Sequence, residues 1–287
     1  MENLFTIICE NANGDRLNLT DDFNRFITTY SGLNPPNATI NADTIVNKDG
    51  SVFSKSKLNE RNIVLSIHIR GDVESNRHLL YKIFRSKQYV KLYYQNNHRD
   101  VYTEGYIESI ECDQFTEDEI MHVSIICHDP YLKDLTDMVV NDEKSVDMFH
   151  FPWSITASGI PFGEVLKGTN NDIYYQGDTN IGFTLIMEAP YGNVKNPSIT
   201  DMIHLKQMKL NVEMETGDKI VVCTIPGSKS IKWFHDGDEI NILGYLTSDS
   251  QWLEITIGDN SFQISADEDT DLNLVSRLQY RNQYEAV

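Results

Sequence analysis

Several stretches of the sequence combine residue types that could do chemistry. Residues 226–230, Pro-Gly-Ser-Lys-Ser, look like the end of a phosphate-binding loop. Residues 267–273 place aspartates at alternating positions, as in the first half of a calcium-binding loop. Cys127 and His128 could serve as a nucleophile and a base, and eight histidines could supply metal ligands. Each chemistry needs particular elements to position these side chains, so the flanking sequence can test it.

The flanking sequence supports neither the phosphate loop nor the calcium loop. A phosphate loop needs a glycine-rich turn that opens a helix, whereas segments with strand character flank residues 226–230, so Gly227 and Ser228 predict a hairpin turn. A calcium loop needs glycine at its sixth position and a carboxylate at its twelfth. Those positions hold Leu272 and Leu278, so we interpret residues 267–273 as a solvated acidic turn.

The cysteine and histidine arrangements also fail as reactive sites. Successive residues of a strand point to opposite faces, so Cys127 and His128 cannot form a nucleophile–base pair. The histidines do not make the H-E-x-x-H spacing of a zinc site, and the G-x-S-x-G pattern of a nucleophile elbow is missing. The sequence therefore nominates no catalytic residue, no cofactor and no metal ligand. We expect a protein that is not an enzyme, and a hydrolase whose site is assembled from distant residues is the weakest alternative.

The composition limits the partners that the protein can bind. The 287 residues carry a formal net charge of −19, which disfavours stable binding to nucleic acid or to anionic lipid. No apolar run approaches the length of a membrane-spanning helix, so we expect no membrane insertion. The amino terminus lacks the features of a signal peptide, and the four cysteines form no C-x-x-C pair. We expect synthesis in a reducing cytoplasm.

Hydrophobic periodicity predicts a mainly β protein (β-rich α+β) in two parts. Alternating residues Ile63 to Ile69 predict a strand with one buried face, and Leu79, Leu80, Ile83 and Phe84 have helical spacing. We place an amino-terminal β domain at residues 1–133 and a linker at 134–149. Residues 150–287 carry a series of short strands separated by turn residues, which predicts an antiparallel β-sandwich.

Segments of the first part resemble the distal tail proteins of siphophages in residue order and spacing, and segments of the second part resemble them less specifically. The segments are Asp49–Phe53, Arg61, Gly105–Glu108, Phe115 and Asp129–Tyr131, then "TIPGSKSIKW", "NILGYL", "SQWLEITIGDNSF" and the closing "RLQYRNQYEAV". The resemblance covers nearly the whole chain. It implies an amino-terminal β-barrel-like domain with one helix and a carboxyl-terminal galectin-like antiparallel β-sandwich.

The same resemblance implies a structural role at the tip of a virion tail. Six copies would close into a hexameric ring that joins the tail tube protein to the tail-associated hub or lysin protein, and receptor-binding proteins are further expected partners. The alternative is a carbohydrate-binding adhesin for host cell-wall polysaccharide, in which Trp153, Trp233 or Trp252 would stack on sugar rings. The sandwich lacks the His, Asn, Arg and Trp arrangement with which galectins hold galactose, which weighs against this alternative.

The polar stretch between the Asp49-Gly50 turn and Leu58 is the predicted interface of the ring. We expect it to be an extended loop that lies on a neighbouring subunit, with Lys55 and Lys57 facing an acidic surface. The interface residues predicted from the sequence are Asp49, Gly50, Phe53, Lys55, Lys57 and Arg61.

Overall fold

A computed structural model describes residues 5–45, 49–114, 116, 118–141, 145–147, 163–165, 170–267 and 270–287. The chain divides into two compact units. The first unit contains Met1–Leu135 together with Gln283–Val287, and the second contains Thr136–Asn282. This division differs from the one expected from the sequence at the carboxyl end, because the last five residues group with the first unit.

The first unit contains eleven strands and the helix among its described residues. The strands are β1 (Phe5–Asn11), β2 (Arg16–Asn18), β3 (Phe26–Ser31), β4 (Ala38–Thr44), β5 (Ser51–Leu58), β6 (Arg61–Ile69), β7 (Tyr89–Asn96), β8 (Asp100–Cys112), β9 (Ile120–Cys127), β10 (Leu132–Asp134) and β25 (Gln283–Tyr284), and the helix is α1 (Val73–Ile83).

Nine of these strands form one antiparallel sheet, with the order β2-β1-β7-β8-β9-β6-β3 and with β10 and β25 attached beside β8. The alternation predicted for β6 is confirmed, because Ile63, Leu65 and Ile67 are fully buried. Helix α1 begins at a cap in which Asp72 accepts hydrogen bonds from the backbone N–H and the hydroxyl of Ser75. Its Leu80 is buried in the same core.

The sheet of the first unit is not a closed barrel, which corrects the barrel-like core expected from the resemblance. The ladder ends at β2 on one side and at β3 on the other, and these two strands do not pair with each other. A side-chain bond bridges the gap locally, since the Thr28 hydroxyl donates to the carbonyl oxygen of Leu19 at 2.8 Å. The mainly β fold with one α-helix is otherwise confirmed in the described residues.

Strands β4 and β5 stand apart as a separate two-stranded sheet. The sequence predicted a loop over residues 49–58, whereas Ser51–Leu58 is a strand that pairs along its length with β4. The prediction was wrong because serine and lysine have low strand propensity, and because nearly all side chains of β5 are exposed, so burial does not impose an alternating pattern.

The second unit contains the remaining described strands. They are β11 (Met138–Asn141), β12 (Ser145–Asp147), β13 (Gly163–Val165), β14 (Asn170–Tyr175), β15 (Thr184–Glu188), β16 (Val194–Lys195), β17 (Ser198–Asp201), β18 (Lys206–Lys209), β19 (Glu213–Met214), β20 (Lys219–Cys223), β21 (Ser230–His235), β22 (Asp238–Asn241), β23 (Gly258–Ser265) and β24 (Val275–Tyr280), with short 3₁₀ turns at Leu243–Tyr245 and Asp271–Asn273.

The predicted sandwich is confirmed in the second unit. One sheet has the order β11-β24-β15-β20-β21-β22 and the other has the order β14-β23-β17-β18. Inward-facing residues of both sheets form one core, in which the rings of Phe183 and Phe262 lie 5.5 Å apart. Such a core is expected when two antiparallel sheets each bury one face.

Candidate functional site

The hairpin formed by β4 and β5 is the most exposed regular element of the first unit. Its register runs from Ala38 opposite Leu58 to Thr44 opposite Ser51. The register shifts between Asn41 and Ala42, where Ser54 is the extra residue. A ladder of this length extends about 20–25 Å at 3.3 Å per residue. At its tip Gly50 has a φ of 87°, a left-handed backbone that glycine adopts without strain.

The two faces of the hairpin differ in chemistry. Residues opposite each other in the register share a face, so one face is mainly apolar and the other is mainly polar. The apolar face contains Ala38, Ile40, Ala42, Phe53 and Leu58 together with Thr44, Ser51 and Ser56, and the polar face contains Thr39, Asn41, Asp43, Val52, Lys55 and Lys57. Ile40 is 68% exposed and Phe53 is 63% exposed. The apolar face is therefore open to solvent in the monomer.

The structure brings together five of the six interface residues predicted from the sequence. Asp49 and Gly50 lie at the tip of the hairpin, and Phe53, Lys55 and Lys57 lie on β5. Phe53 is on the apolar face and the two lysines are on the polar face. Asp49 and these two lysines are exposed. The five residues therefore occupy one projecting element, but they do not form one face of it.

Arg61 lies elsewhere, in the interior of the first unit. It is 2% exposed, and its guanidinium donates four hydrogen bonds to backbone carbonyl oxygens. Nε donates to Pro130 at 2.8 Å, Nη1 to Gly32 and Asn34 at 2.6 and 2.9 Å, and Nη2 to Glu285 at 2.6 Å. Burial lowers the pKa of this guanidinium from its ordinary value, although arginine stays protonated in proteins.

Arg61 positions the hairpin rather than contributing to its surface. Gly32 and Asn34 precede β4, and Arg61 begins β6 three residues after the end of β5, so its bonds tie the two ends of the hairpin to the core. The backbone N–H of Asn59 donates to the carbonyl oxygen of Asn37 at 2.8 Å and closes the base. The sequence contains a signal for this role, since Arg61 shares the parity of Ile63 in the alternating strand and therefore its buried face.

The base also explains why residue 32 is glycine. Gly32 has a φ of +89°, and a Cβ built on it would lie 2.0 Å from the carbonyl oxygen of Asn62. A larger residue would therefore push the strand that carries Arg61 away from the segment that leads into β4. The sequence analysis did not identify this position.

The end of the chain completes the anchor of the hairpin. Strand β25 pairs with β10, which places Tyr284 opposite Leu132. Arg99 donates from Nη1 to the carbonyl oxygen of Ala286 at 2.6 Å, and its guanidinium carbon lies 4.0 Å from the centre of the Tyr284 ring. This group was not predicted from the sequence, because local spacing does not reveal a pairing between distant segments.

The stretches that resembled chemical motifs have structural roles. Gly227 has a φ of 83° in the turn between β20 and β21, as a hairpin turn requires. The carboxylate of Asp267 accepts from the amide of Asn196 at 2.7 Å and lies 3.3 Å from the ammonium of Lys209. Both carboxylate oxygens of Asp267 therefore have partners within the protein, and Glu268 and Asp269 of this stretch lie outside the described residues. Clusters of three potential ligands for a metal do not occur within the described residues.

The described tryptophans do not form a platform for sugar stacking. Trp233 and Trp252 are partly buried and pack against the core of the second unit. The indole N–H of Trp233 donates to the buried carboxylate of Asp218 at 3.1 Å. Trp153 lies outside the described residues, as does Phe115, one of the positions that carried the resemblance. No helix in the described part of the chain has both the length and the apolar character needed to cross a membrane.

The family model that matches this chain covers part of the first unit. Residues 12–125 match the family model of the phage tail protein RIFT-related domain, and this match includes the whole β4–β5 hairpin and Arg61. A search of curated proteins finds no match.

Solved structures match the chain over almost its whole length. The Dit protein of phage SPP1, described as a paradigm of the hub adsorption apparatus in phages that infect Gram-positive bacteria, aligns with a TM-score of 0.69 and 12% identity. The alignment covers 97% of this chain and 98% of that protein. Chains of the phage p2 baseplate in its activated conformation, with Ca and with Sr, align with TM-scores of 0.53 and 0.52 at 12% and 14% identity and cover 99% of both chains. The fold is therefore that of the SPP1 Dit protein.

Proposed function

We propose that this chain, whose first unit contains a phage tail RIFT-related domain and whose fold is that of a siphophage distal tail protein, is the distal tail protein of a long-tailed phage or prophage. Six copies form a ring at the tip of the tail. The ring joins the tail tube protein to the tail-associated hub or lysin protein and to proteins of host adhesion. Its place is the virion tail tip, after synthesis in the cytoplasm of the host.

The observation that carries this proposal is the combination of the two comparisons. The family model covers the first unit, and the match to the SPP1 Dit protein extends through both units with almost complete coverage of each chain. A shared domain alone would be compatible with many roles. A shared arrangement of the same two kinds of domain along the whole chain favours the same structural role.

The hairpin supports assembly because it has little to stabilise it in the monomer. A two-stranded hairpin is marginally stable in water unless one of its faces is packed, and here Ile40 and Phe53 are both more than half exposed. Packing the apolar face against a neighbouring copy would remove these side chains from water. A contact of this kind, between a hairpin and a different surface of the next copy, is heterologous and can close into a ring.

The charges of the hairpin fit a surface of this same protein. Lys55 and Lys57 lie side by side on the polar face, and the chain as a whole has a net charge of −19. Exposed carboxylates occur on the outer face of the first-unit sheet, including Glu104 and Glu108 of β8. We place the two lysines opposite carboxylates of the neighbouring copy, where they steer the subunits into register.

The role is structural rather than catalytic. Residues 226–230 form a turn between two strands, and Asp267 is hydrogen-bonded within the protein. The carbohydrate-binding alternative gains no support from Trp233 and Trp252, because both pack against the core of their own unit.

Native mass spectrometry and negative-stain electron microscopy of the purified full-length protein test this proposal. The expected result is a species six times the mass of the 32.9 kDa chain, seen as a ring with an open centre. Electron microscopy of intact tails with an antibody against the chain should label the distal end. A strictly monomeric protein that is also missing from purified tails would overturn the proposal.

A further inference from the structure

A second exposed apolar site lies in the second unit, far along the sequence from the hairpin. The turn between β17 and β18 consists of Met202, Ile203, His204 and Leu205. Three of its side chains are apolar and exposed, at 39% for Met202, 48% for Ile203 and 82% for Leu205. We call these three residues the apolar tip.

The backbone of the turn is fixed by a buried carboxylate. Asp201 is 4% exposed, and its Oδ1 accepts the backbone N–H groups of Ile203 and His204 at 2.9 Å each. Its Oδ2 is 2.8 Å from Nδ1 of His204. The backbone N–H of Met202 donates to the carbonyl oxygen of Ser261 on β23 at 2.9 Å. The apolar tip is therefore displayed on a well-bonded turn.

Leu205 is unfavourable in this position for two separate reasons. Its φ is +54°, in the left-handed region where glycine or asparagine is favoured and where a branched apolar side chain is strained. Its side chain is also exposed to water without packing in return. Neither the backbone nor the core of the monomer requires a leucine here.

The surroundings of the tip indicate the kind of partner. Tyr174 is 66% exposed and lies opposite Asp259 in the register of β14 and β23. Asp172 shares the face of Tyr174, and it is bonded to the hydroxyl of Ser261 at 2.6 Å. Lys206 is opposite Asp201, so that pair adds no net charge. Ser261, which accepts the hydrogen bond from Met202, pairs with Asp172, and Tyr174 follows two residues further along β14, so the side of the tip that faces β14 is aromatic and acidic.

We propose that the apolar tip docks into an apolar socket, bordered by lysine or arginine, on a different protein of the same virion. Exposed apolar anchors next to aromatic residues are typical of interface hot spots, and the carboxylates of Asp172 and Asp259 complement basic residues at the rim. Because Lys55 and Lys57 are already assigned to the ring contact and the rest of this chain is strongly acidic, a second copy fits this border less well than a basic partner does. The inference rests on the proposed function and adds a contact surface to it.

Photo-cross-linking in assembled virions tests the inference. The probe is benzoylphenylalanine at position 205, and the matched control is the same probe at Tyr191, which is 76% exposed in another turn of the same unit. The expected result is a product that joins position 205 to a different virion polypeptide, with no such product from position 191. A product within one chain, a product between two copies, or no product in tails that contain the variant would overturn the inference.

Leu205→Gly separates docking from folding. Glycine is favoured at this φ, so the melting temperature of the purified variant should be unchanged or higher. The yield of cross-link from a probe at Tyr174 should fall about tenfold, as expected for the loss of one apolar anchor. An undiminished yield from Tyr174 contradicts the inference. An immunoblot of purified tails distinguishes the two proposals, because absence of the wild-type chain from tails overturns the proposed function and this inference together.

Discussion

Arg61 and Glu285 are 224 positions apart in the sequence, and yet Nη2 of the arginine donates to the carbonyl oxygen of the glutamate at 2.6 Å. The same guanidinium also holds the segment before β4 and the carbonyl oxygen of Pro130. One buried side chain therefore connects the projecting hairpin, the end of β9 and the end of the chain. This network is the structural basis for the predictions on the first unit.

Arg61→Met should destabilise the first unit by about 3 kcal/mol, because it leaves several buried carbonyl oxygens without a donor. Arg61→Lys should recover only part of the loss, since an ammonium group cannot reproduce the planar fork of a guanidinium. Hydrogen exchange of peptides from β6 and β9 measures the free energy of opening. Arg16→Met is the control, because Arg16 is exposed and an exposed ion pair contributes little to stability. Equal effects of the Arg61→Met and Arg16→Met substitutions would contradict this assignment.

Deletion of Gln283–Val287 should weaken the first unit and leave the second unit intact. The deletion removes β25 from β10 and removes the acceptors of Arg61 and Arg99. We expect faster hydrogen exchange in β10 and in the start of β8, and a lower melting temperature for the first unit. Tryptophan fluorescence provides the control, because all three tryptophans lie in the second unit, and its transition should not move. Unchanged exchange in β10 would show that the chain end is not part of the anchor.

Replacing the apolar face of the hairpin should prevent assembly without unfolding the monomer. Ile40→Ser with Phe53→Ser removes two exposed side chains, so the melting temperature of the monomer should change by less than about 2 °C, as for surface substitutions generally. The hexamer should be lost, as measured by native mass spectrometry. Deletion of residues 51–57 should have the same outcome.

The matched control for the apolar face is Thr39→Ser with Asn41→Ser on the other face of the same strand. This variant should retain the hexamer. Lys55→Glu with Lys57→Glu tests the charges separately, and it should slow assembly most strongly at low ionic strength. A hexamer that survives the Ile40 and Phe53 substitutions would show that the hairpin does not hold the ring.

The stability of the second unit should fall as the pH rises through the folded-state pKa of His235. A hydrogen bond from its ring to the buried carboxylate of Asp218, at 2.8 Å, raises the pKa of His235 from its ordinary value. The folded protein therefore holds this proton more tightly than the unfolded chain does. The stabilisation is fully present below about pH 6.5, the unperturbed value, and is lost above the raised folded value.

Denaturant titrations between pH 5.5 and 9, followed by tryptophan fluorescence, measure this dependence. The ring of Trp233 lies 4.9 Å from that of His235, so one of the three tryptophans reports on the site itself. His235→Gln should flatten the pH profile of the unfolding free energy, whereas His98→Gln, at an exposed position of the first unit, should not. If the unfolding free energy depended on pH with the same slope in wild type and in His235→Gln, the titration would belong to another group.

The elements predicted well from the sequence are those whose pattern is set by their own burial. Strand β6 and helix α1 each bury one face, so the alternation of Ile63 to Ile69 and the helical spacing of Leu79 to Phe84 are visible locally. Strand β5 was predicted as a loop because its side chains are almost all exposed. Its strand conformation comes from pairing with β4, which local periodicity does not report.

The role of Arg61 required contacts that sequence spacing cannot show. Its parity with Ile63 indicates a buried position, but the four acceptors come from three segments up to 224 residues away. The pairing of β25 with β10 is of the same kind. The open sheet also differs from the barrel-like expectation for a long-range reason, since closure depends on whether β2 and β3 meet.

The return of the chain end to the first unit has a consequence for gene exchange. Lys133 and Gln283 are paired neighbours in adjacent antiparallel strands, so the two points where the second unit is joined to the first lie close together, about 5 Å between paired Cα atoms. Residues 136–282 are therefore an insert with adjacent ends inside a host domain, an arrangement that tolerates replacement. A recombination event that exchanges this insert would supply a new second unit while it keeps the ladder of the host domain continuous.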